Sequence, residues 1–246
     1  MCHDDSSRPP APPAIGEVAS SGPLELTSSD GNRFAAYEAA PAVPSGVGIV
    51  VLPDIRGLHP FYVALAERFA QAGLTAVAMD YFGRTDGVAQ RDESFDWQPA
   101  IAQVTTEHVR ADAQACAQRL REEHGVTSVI SLGFCFGGGH SWRLGATDLG
   151  LDGCVGFYGR LSLLAEAADE VTSPLLMLLA GADSTAPAEF LAVRDQIVAR
   201  GVEVEVHVYD GAPHSFFDRS FAEWQDACAD VWQRVLAFAE RTAAQA

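Results

Sequence analysis

Short, predominantly apolar runs recur along most of the chain. They cover residues 47–52, 75–79, 128–132, 154–158, 175–180 and 202–208. Runs of this length are typical of parallel strands that are buried on both faces of a sheet. Segments with apolar residues at helical spacing alternate with them, at residues 60–72, 105–123, 138–146, 188–200 and 221–243. The alternation predicts an α/β fold with a mostly parallel, doubly wound sheet.

The beginning of the chain has a different pattern. Residues 24–27 and 33–38 alternate apolar and polar side chains around Ser-Ser-Asp-Gly-Asn, which predicts an N-terminal antiparallel hairpin. The Asp-, Ser- and Pro-rich start predicts a disordered tail over residues 1–21, followed by a single domain over residues 22–246. Residues 83–100 have no clear period, and we expect a loop that borders a site.

Charge and composition exclude several classes of function. The chain has 33 acidic and 16 basic residues and a formal net charge of −17, which argues against nucleic acid as a partner. Every basic residue is an arginine, so Schiff-base chemistry, pyridoxal phosphate attachment and a phosphate-binding loop lysine are excluded. The acidic surface is most simply a solvated coat, and we expect a soluble monomer.

The cysteine pattern and the apolar run lengths suggest a compartment. Five widely separated cysteines without a CxxC pair indicate neither a disulfide scaffold nor a zinc site, and they favour the cytoplasm. The longest aliphatic runs are well short of the roughly 20 residues that a membrane helix requires. We therefore predict no metal site and no membrane partner.

The strongest local motif is Gly133-Phe134-Cys135-Phe136-Gly137, which follows an apolar run and precedes a helical segment. This is the nucleophile-elbow pattern G-x-S-x-G with cysteine in place of serine. A tight turn from strand to helix leaves no room for a Cβ at the flanking glycines, and the helix N-terminus favours a thiolate. The alternative is that Cys135 is a small buried residue in a glycine-rich turn.

A base and an orienting acid follow in the order expected for this motif. Asp183 comes after the run at residues 175–180, and His214 comes after the run at residues 202–208. Alone, Asp183 is equally well explained as a helix-capping residue and His214 as an ordinary loop histidine. Their joint placement after successive strands favours a catalytic triad with Cys135.

These motifs together resemble the dienelactone hydrolase family, over about residues 22–240. The family's cysteine elbow is matched around Cys135, and three further segments are similar to family segments: Pro53-Asp54-Ile55-Arg56-Gly57, Asp80-Tyr81-Phe82-Gly83-Arg84 and Val155-Gly156-Phe157-Tyr158-Gly159. The resemblance implies an α/β-hydrolase fold and a carboxylic ester hydrolase without a cofactor, with a role in the degradation of aromatic compounds.

The resemblance also implies roles for individual residues. Cys135 attacks an ester or lactone carbonyl, His214 relays the proton, and Asp183 orients His214. The backbone N–H groups of Phe136 and Ile55 form the oxyanion hole.

Further residues are implied as parts of the site. Asp54 replaces a family glutamate that holds and then deprotonates the thiol, and it is one methylene shorter. Arg84 matches the arginine that binds a substrate carboxylate, whereas Arg219 lies one residue further along than its family counterpart. Tyr81 and Tyr158 are candidates for lining the acyl pocket, although aromatic side chains at strand ends are more often part of the core.

The leading hypothesis is a hydrolase that cleaves a small-molecule, dienelactone-like ester or lactone through an acyl-thiol intermediate. The same triad is compatible with a thioesterase or an acyl transferase. A hydrolase-like module that binds a ligand without turning it over is a third alternative, although it would have no need for the base. A thiol peroxidase would need a resolving cysteine nearby in the sequence, and none is present.

Overall fold

The computed structural model describes residues 5–218 and 220–245, which form a mixed sheet covered by helices on both faces. The strands are Val18–Thr27 (β1), Arg33–Pro41 (β2), Val47–Leu52 (β3), Thr75–Met79 (β4), Ser128–Phe134 (β5), Gly153–Phe157 (β6), Leu175–Ala180 (β7) and Val204–Tyr209 (β8). Their order in the sheet is β1-β2-β4-β3-β5-β6-β7-β8. The predicted parallel strands are all present, and every residue of β3 is buried, as its continuous apolar run requires. Strand β8 is only half-buried, contrary to the prediction for residues 202–208, because it lies at the edge of the sheet and polar residues alternate with its valines.

The N-terminal hairpin joins this sheet through its second strand. β1 pairs antiparallel with β2, and β2 pairs antiparallel with β4, while the six strands from β3 to β8 are parallel to one another. The predicted hairpin and the predicted doubly wound sheet are therefore both confirmed.

The helices are Pro60–Gln71 (α1), Gly83–Asp86 (α2), Trp97–Ile101 (α3), Thr106–His124 (α4), Phe136–Leu144 (α5), Leu161–Ala165 (α6), Pro187–Val198 (α7) and Gln225–Ala243 (α8). Phe61 of α1 and Trp232 of α8 belong to the core on one face, and Val109 of α4 and Trp142 of α5 belong to the core on the other. No helix in the described part of the chain has the length and apolar character needed to cross a membrane.

Several element boundaries differ from the sequence prediction. Residues 83–100 contain α2 and the start of α3 rather than a plain loop, because helices of four or five residues are too short to show a period. Helix α5 begins at Phe136, two residues earlier than predicted, although glycines are poor helix formers. Helix α8 begins at Gln225 instead of at residue 221.

Part of the predicted disordered tail belongs to the sheet. Strand β1 begins at Val18, so residues 18–21 belong to the sheet. Preceding residues hydrogen-bond to the domain: Gly16 N–H donates to the Gln71 carbonyl at 2.7 Å, and Trp232 Nε1 donates to the Pro10 carbonyl at 3.2 Å. Residues 1–4 lie outside the described residues.

The two borders of the sheet are β1 and β8. Strand β1 contains Pro23, and its register with β2 shifts between Val18 and Ser20. On β8, Glu205 forms an ion pair with Arg241 of the neighbouring helix α8.

Candidate active site

Cys135 occupies a strained turn between β5 and α5. Its backbone angles are φ 53° and ψ −109°, a conformation that residues other than glycine rarely adopt. A Cβ at Gly133 would lie 2.0 Å from the Gly137 carbonyl oxygen, and one at Gly137 would lie 2.2 Å from the Leu52 carbonyl oxygen. Glycine is therefore required on both sides of Cys135, as the elbow motif predicts.

The residue after the cysteine supplies a backbone donor. Phe136 is the first residue of α5, so its N–H has no acceptor within the helix. The carbonyl of Cys135 accepts the first hydrogen bond of the helix, from Gly139 N–H at 3.2 Å. The start of α5 thus presents a thiol, a backbone N–H and the positive end of the helix dipole at one place.

The predicted acid and base form a direct pair. His214 Nδ1 lies 2.7 Å from Asp183 Oδ2, while the other carboxylate oxygen accepts the Ser184 N–H at 2.7 Å. The loops that carry them are joined by two backbone hydrogen bonds of 2.9 Å, from Gly181 to Tyr209 and from Ala182 to Ala212. The ends of β7 and β8 therefore fix the position of Asp183 relative to His214.

These residues line one cleft of about 330 Å³ at the carboxyl edge of the sheet. Its lining consists of Ile55, Cys135, Phe136, Tyr158, Gly159, Arg160, Asp183, Ser184, Thr185, Phe190 and His214. The structure thus brings together the predicted triad, both predicted oxyanion-hole residues and Tyr158.

Tyr158 forms a buried wall beside the histidine. Its ring centroid lies 4.9 Å from that of His214, and its hydroxyl lies 3.2 Å from Oδ2 of the buried Asp218. The backbone of Tyr158 also has a positive φ, 37°. With only 3% of its surface exposed, Tyr158 restricts the histidine more than it offers surface to a substrate.

Asp54 is fully buried in the turn after β3. Its Oδ1 accepts the Arg56 backbone N–H at 2.9 Å, and its Oδ2 lies 3.5 Å from Arg56 Nη2. The backbone N–H of Asp54 in turn donates to the Tyr62 hydroxyl at 3.0 Å. These contacts anchor the turn that carries Ile55, so Asp54 has a structural role whatever its part in the chemistry.

Tyr81 and Arg84 do not line the cleft, in contrast to the sequence prediction. Tyr81 is buried beneath it, where its ring packs against Phe136 with centroids 5.3 Å apart and its hydroxyl donates to the Pro53 carbonyl at 2.8 Å. Burial, followed by the charges of Asp54 and Asp80, raises the Tyr81 pKa well above its ordinary value.

Arg84 is turned away from the cleft toward other carboxylates. It pairs with the buried Asp112 of α4 at 2.6 Å and with Asp30 of the hairpin turn at 2.7 Å. The Arg84 hydrogen bond is the main cause that lowers the Asp30 pKa to about 2. Arg84 therefore connects the hairpin to α4, and its side chain is not among the residues that line the cleft. Arg219 lies outside the described residues.

One charged residue of the cleft, Arg160, is not among the site residues predicted from the sequence. It directly follows the Tyr158-Gly159 segment and precedes α6, so it lies at the same sheet edge as the triad. The signal available in the sequence was this position after a strand end.

No group of three or more His, Cys, Asp or Glu side chains within residues 5–218 and 220–245 is placed to hold a metal ion.

Comparison with known proteins gives concordant results. The model of the dienelactone hydrolase family matches residues 34–242. A carboxymethylenebutenolidase of Rhodococcus opacus is 30% identical over 265 residues, covering 98% of this chain and 97% of that protein.

Solved structures show the same fold. Brefeldin A esterase, a bacterial homologue of human hormone-sensitive lipase, has a TM-score of 0.73 at 19% identity, covering 98% of this chain and 82% of that one. A dienelactone hydrolase-like promiscuous phosphotriesterase from metagenomic libraries has a TM-score of 0.71 at 24% identity, covering 90% of this chain and 99% of that one. The fold is that of the α/β-hydrolases.

Proposed function

Because the chain belongs to the dienelactone hydrolase family, a family of ester and lactone hydrolases, we propose that it works through a triad of Cys135, His214 and Asp183. One observation carries this assignment. The strained cysteine elbow and the hydrogen-bonded His214–Asp183 pair line the same cleft. A cysteine that served only as a packing residue would need neither the strained backbone nor this pair.

The first half of the reaction forms an acyl-thiol. The thiolate of Cys135 attacks the ester or lactone carbonyl, and His214 holds the proton that the thiol gives up. Charge that develops on the carbonyl oxygen is stabilised by the backbone N–H groups of Phe136 and Ile55. His214 then passes its proton to the leaving alkoxide as the carbon–oxygen bond breaks.

The second half returns the enzyme to its resting state. His214 removes a proton from water, which attacks the acyl-thiol, and the carboxylic acid leaves as the thiol is restored. Throughout both halves, the hydrogen bond that His214 Nδ1–H donates to Asp183 keeps Nε2 as the nitrogen that exchanges protons.

Asp54 is proposed to act on the thiol only weakly. An aspartate reaches about 1.5 Å less far than a glutamate, and the Arg56 backbone and guanidinium already engage this carboxylate. We therefore expect the Cys135 thiol to be readily alkylated by iodoacetamide without substrate. In Asp54→Glu, alkylation of Cys135 at neutral pH should be slower than in wild type. Coincident curves of alkylation rate against pH for wild type, Asp54→Asn and Asp54→Glu would exclude any control of the thiol by Asp54.

The triad is tested by trapping the acyl-enzyme. Enzyme quenched during turnover of p-nitrophenyl acetate or a dienelactone should carry an acyl adduct on Cys135 in mass spectrometry, and Cys135→Ala should lose both adduct and turnover. His214→Ala should lose a similar factor, and the double variant should lose little more, because the two residues act as a unit.

Cys228→Ala is the matched control. Burial raises the pKa of that thiol to about 12, so it remains neutral, and its removal should leave the adduct on Cys135. Undiminished turnover in Cys135→Ala would rule out the proposed nucleophile. Losses in Cys135→Ala and His214→Ala that multiply independently would rule out their pairing.

A further inference from the structure

Arg160 is a cation in the cleft to which the described residues offer no partner. Its side chain is exposed and lines the cleft together with Cys135 and His214. Within the described part of the chain, the structure gives its guanidinium no hydrogen bond and no ion pair, which sets it apart from the other arginines. Those arginines hold a carboxylate, amide or carbonyl oxygen, as Arg91 does with Asp80 and Arg143 with Glu166.

The charge balance of the protein makes this arrangement informative. At a net charge of −17, carboxylates outnumber arginines, so an arginine readily finds a partner on this surface. Among the described residues that line the cleft, Asp183 is the one acidic residue, and it is already bound to His214. Arg160 is the one arginine in the same set, and its charge acts on a neighbouring group: burial, then the charges of Arg143 and Arg160, lower the His140 pKa to about 4.

The backbone of Arg160 lies close to the nucleophile. A Cβ on Gly139 would be 2.8 Å from the Arg160 carbonyl oxygen, and Gly139 N–H bonds to the Cys135 carbonyl. Gly139 is one helical turn from Cys135, about 6 Å along the axis of α5. A long side chain that starts there can meet a group a few bonds away from the reacting carbonyl.

We propose that Arg160 is the specificity-determining residue of the cleft and binds a carboxylate carried by the substrate. This inference rests on the proposed function, because it presumes that Cys135 attacks an ester or lactone in this cleft. A single guanidinium matches a carboxylate in its two-oxygen geometry, and its single positive charge balances the single negative charge of a carboxylate. Arg160 therefore supplies the selection that sequence reasoning assigned to Arg84.

The test compares charged esters with neutral ones of nearly equal size. One pair carries the charge on the acyl side, p-nitrophenyl hydrogen adipate and p-nitrophenyl methyl adipate. The other carries it on the leaving group, 4-acetoxybenzoate and methyl 4-acetoxybenzoate. The quantity measured is the ratio of kcat/KM for the charged ester to kcat/KM for its neutral partner, after subtraction of the uncatalysed rate.

In Arg160→Gln we expect this ratio to fall about tenfold or more for at least one pair. Arg160→Lys should keep part of the ratio, because it retains the charge but not the fork of donors. Rising salt should lower the wild-type ratio and leave that of Arg160→Gln nearly constant. Arg143→Gln removes the same unit charge from a neighbouring arginine outside the cleft lining, and it should leave the ratio unchanged.

Ratios for both ester pairs that are the same in Arg160→Gln and wild type would overturn the inference. An equal fall in Arg143→Gln would also overturn it, because the effect would then be one of net charge. Failure of the proposed function has a different signature, since wild type would then hydrolyse neither ester of a pair or would be unaffected by Cys135→Ala.

Discussion

Replacing Arg84 with alanine should weaken the fold and leave substrate preference unchanged. Arg84 Nη1 and Nη2 donate to the two carboxylate oxygens of Asp112 at 2.6 and 3.0 Å, and Asp112 is 1% exposed. Removal of one partner from a buried ion pair costs about 3–5 kcal/mol in the free energy of unfolding. Ser28 and Asn32 still donate to Asp112 in the variant, so we expect a loss near the lower end, about 3 kcal/mol.

For a chain of this length, a loss of about 3 kcal/mol lowers Tm by about 6–12 °C. Urea and thermal unfolding measure it, with Arg110→Ala as the control. Arg110 lies on the same helix as Asp112, but its pair with Asp148 is 42% and 83% exposed. The control should therefore change by less than about 0.5 kcal/mol. Unchanged stability of Arg84→Ala, with a loss of kcat/KM confined to the charged esters, would refute this reasoning and return Arg84 to the substrate site.

Three further predictions concern the elbow, a buried histidine and the triad acid. Gly133→Ala should abolish turnover and lower the unfolding free energy by more than about 2 kcal/mol, because its Cβ would lie 2.0 Å from a backbone oxygen. The control is Gly22→Ala, whose Cβ would have nothing within 4 Å, and in the same unfolding and ester assays it should change neither quantity. His140, with its pKa lowered to about 4, is neutral in the fold but protonates near pH 6.5 when unfolded, so stability should fall as pH drops from 6.5 toward 4. Urea unfolding at pH 7 and pH 4.5 measures this loss: the free energy of unfolding of His140→Gln should fall by roughly 2 kcal/mol less than that of wild type. An equal fall in the two proteins would contradict the lowered pKa of His140. Asp183→Asn should lower kcat by about 10³-fold or more through loss of the required tautomer, and a loss under tenfold would show that the pair is not part of the triad.

The parallel strands and long helices could be predicted because each one's burial appears directly in its local pattern. The apolar run at residues 47–52 became β3 with every residue buried, and the period of α8 identified its core face. The start of α5 could not be found in this way, because local propensity disfavours the glycines at residues 137–139, whereas close packing against neighbouring backbone requires them.

In the candidate site, too, only the residues with a local signal could be predicted from the sequence. Cys135, Asp183 and His214 were found because each follows a strand, and strand ends meet at one edge of a parallel sheet. The direction of a long side chain is set instead by partners distant in sequence. Arg84 also follows a strand, yet its side chain pairs with Asp112 and Asp30 outside the cleft. Arg160 lines the cleft, because no carboxylate of the described chain pairs with it. Side-chain pairing of this kind leaves no periodic signal.

The two borders of the sheet bear on how copies of the protein behave toward one another. An open strand edge is a template onto which a second molecule can add its own strand, leading to aggregation. On β1, Pro23 and the register shift between Val18 and Ser20 interrupt such a template, and on β8 the charged pair of Glu205 and Arg241 flanks the outer strand. Both features are established means of discouraging edge-to-edge growth. The strands that frame the fold thus also protect its colloidal stability, and replacing Pro23 with a β-branched residue would open the longer border to strand addition.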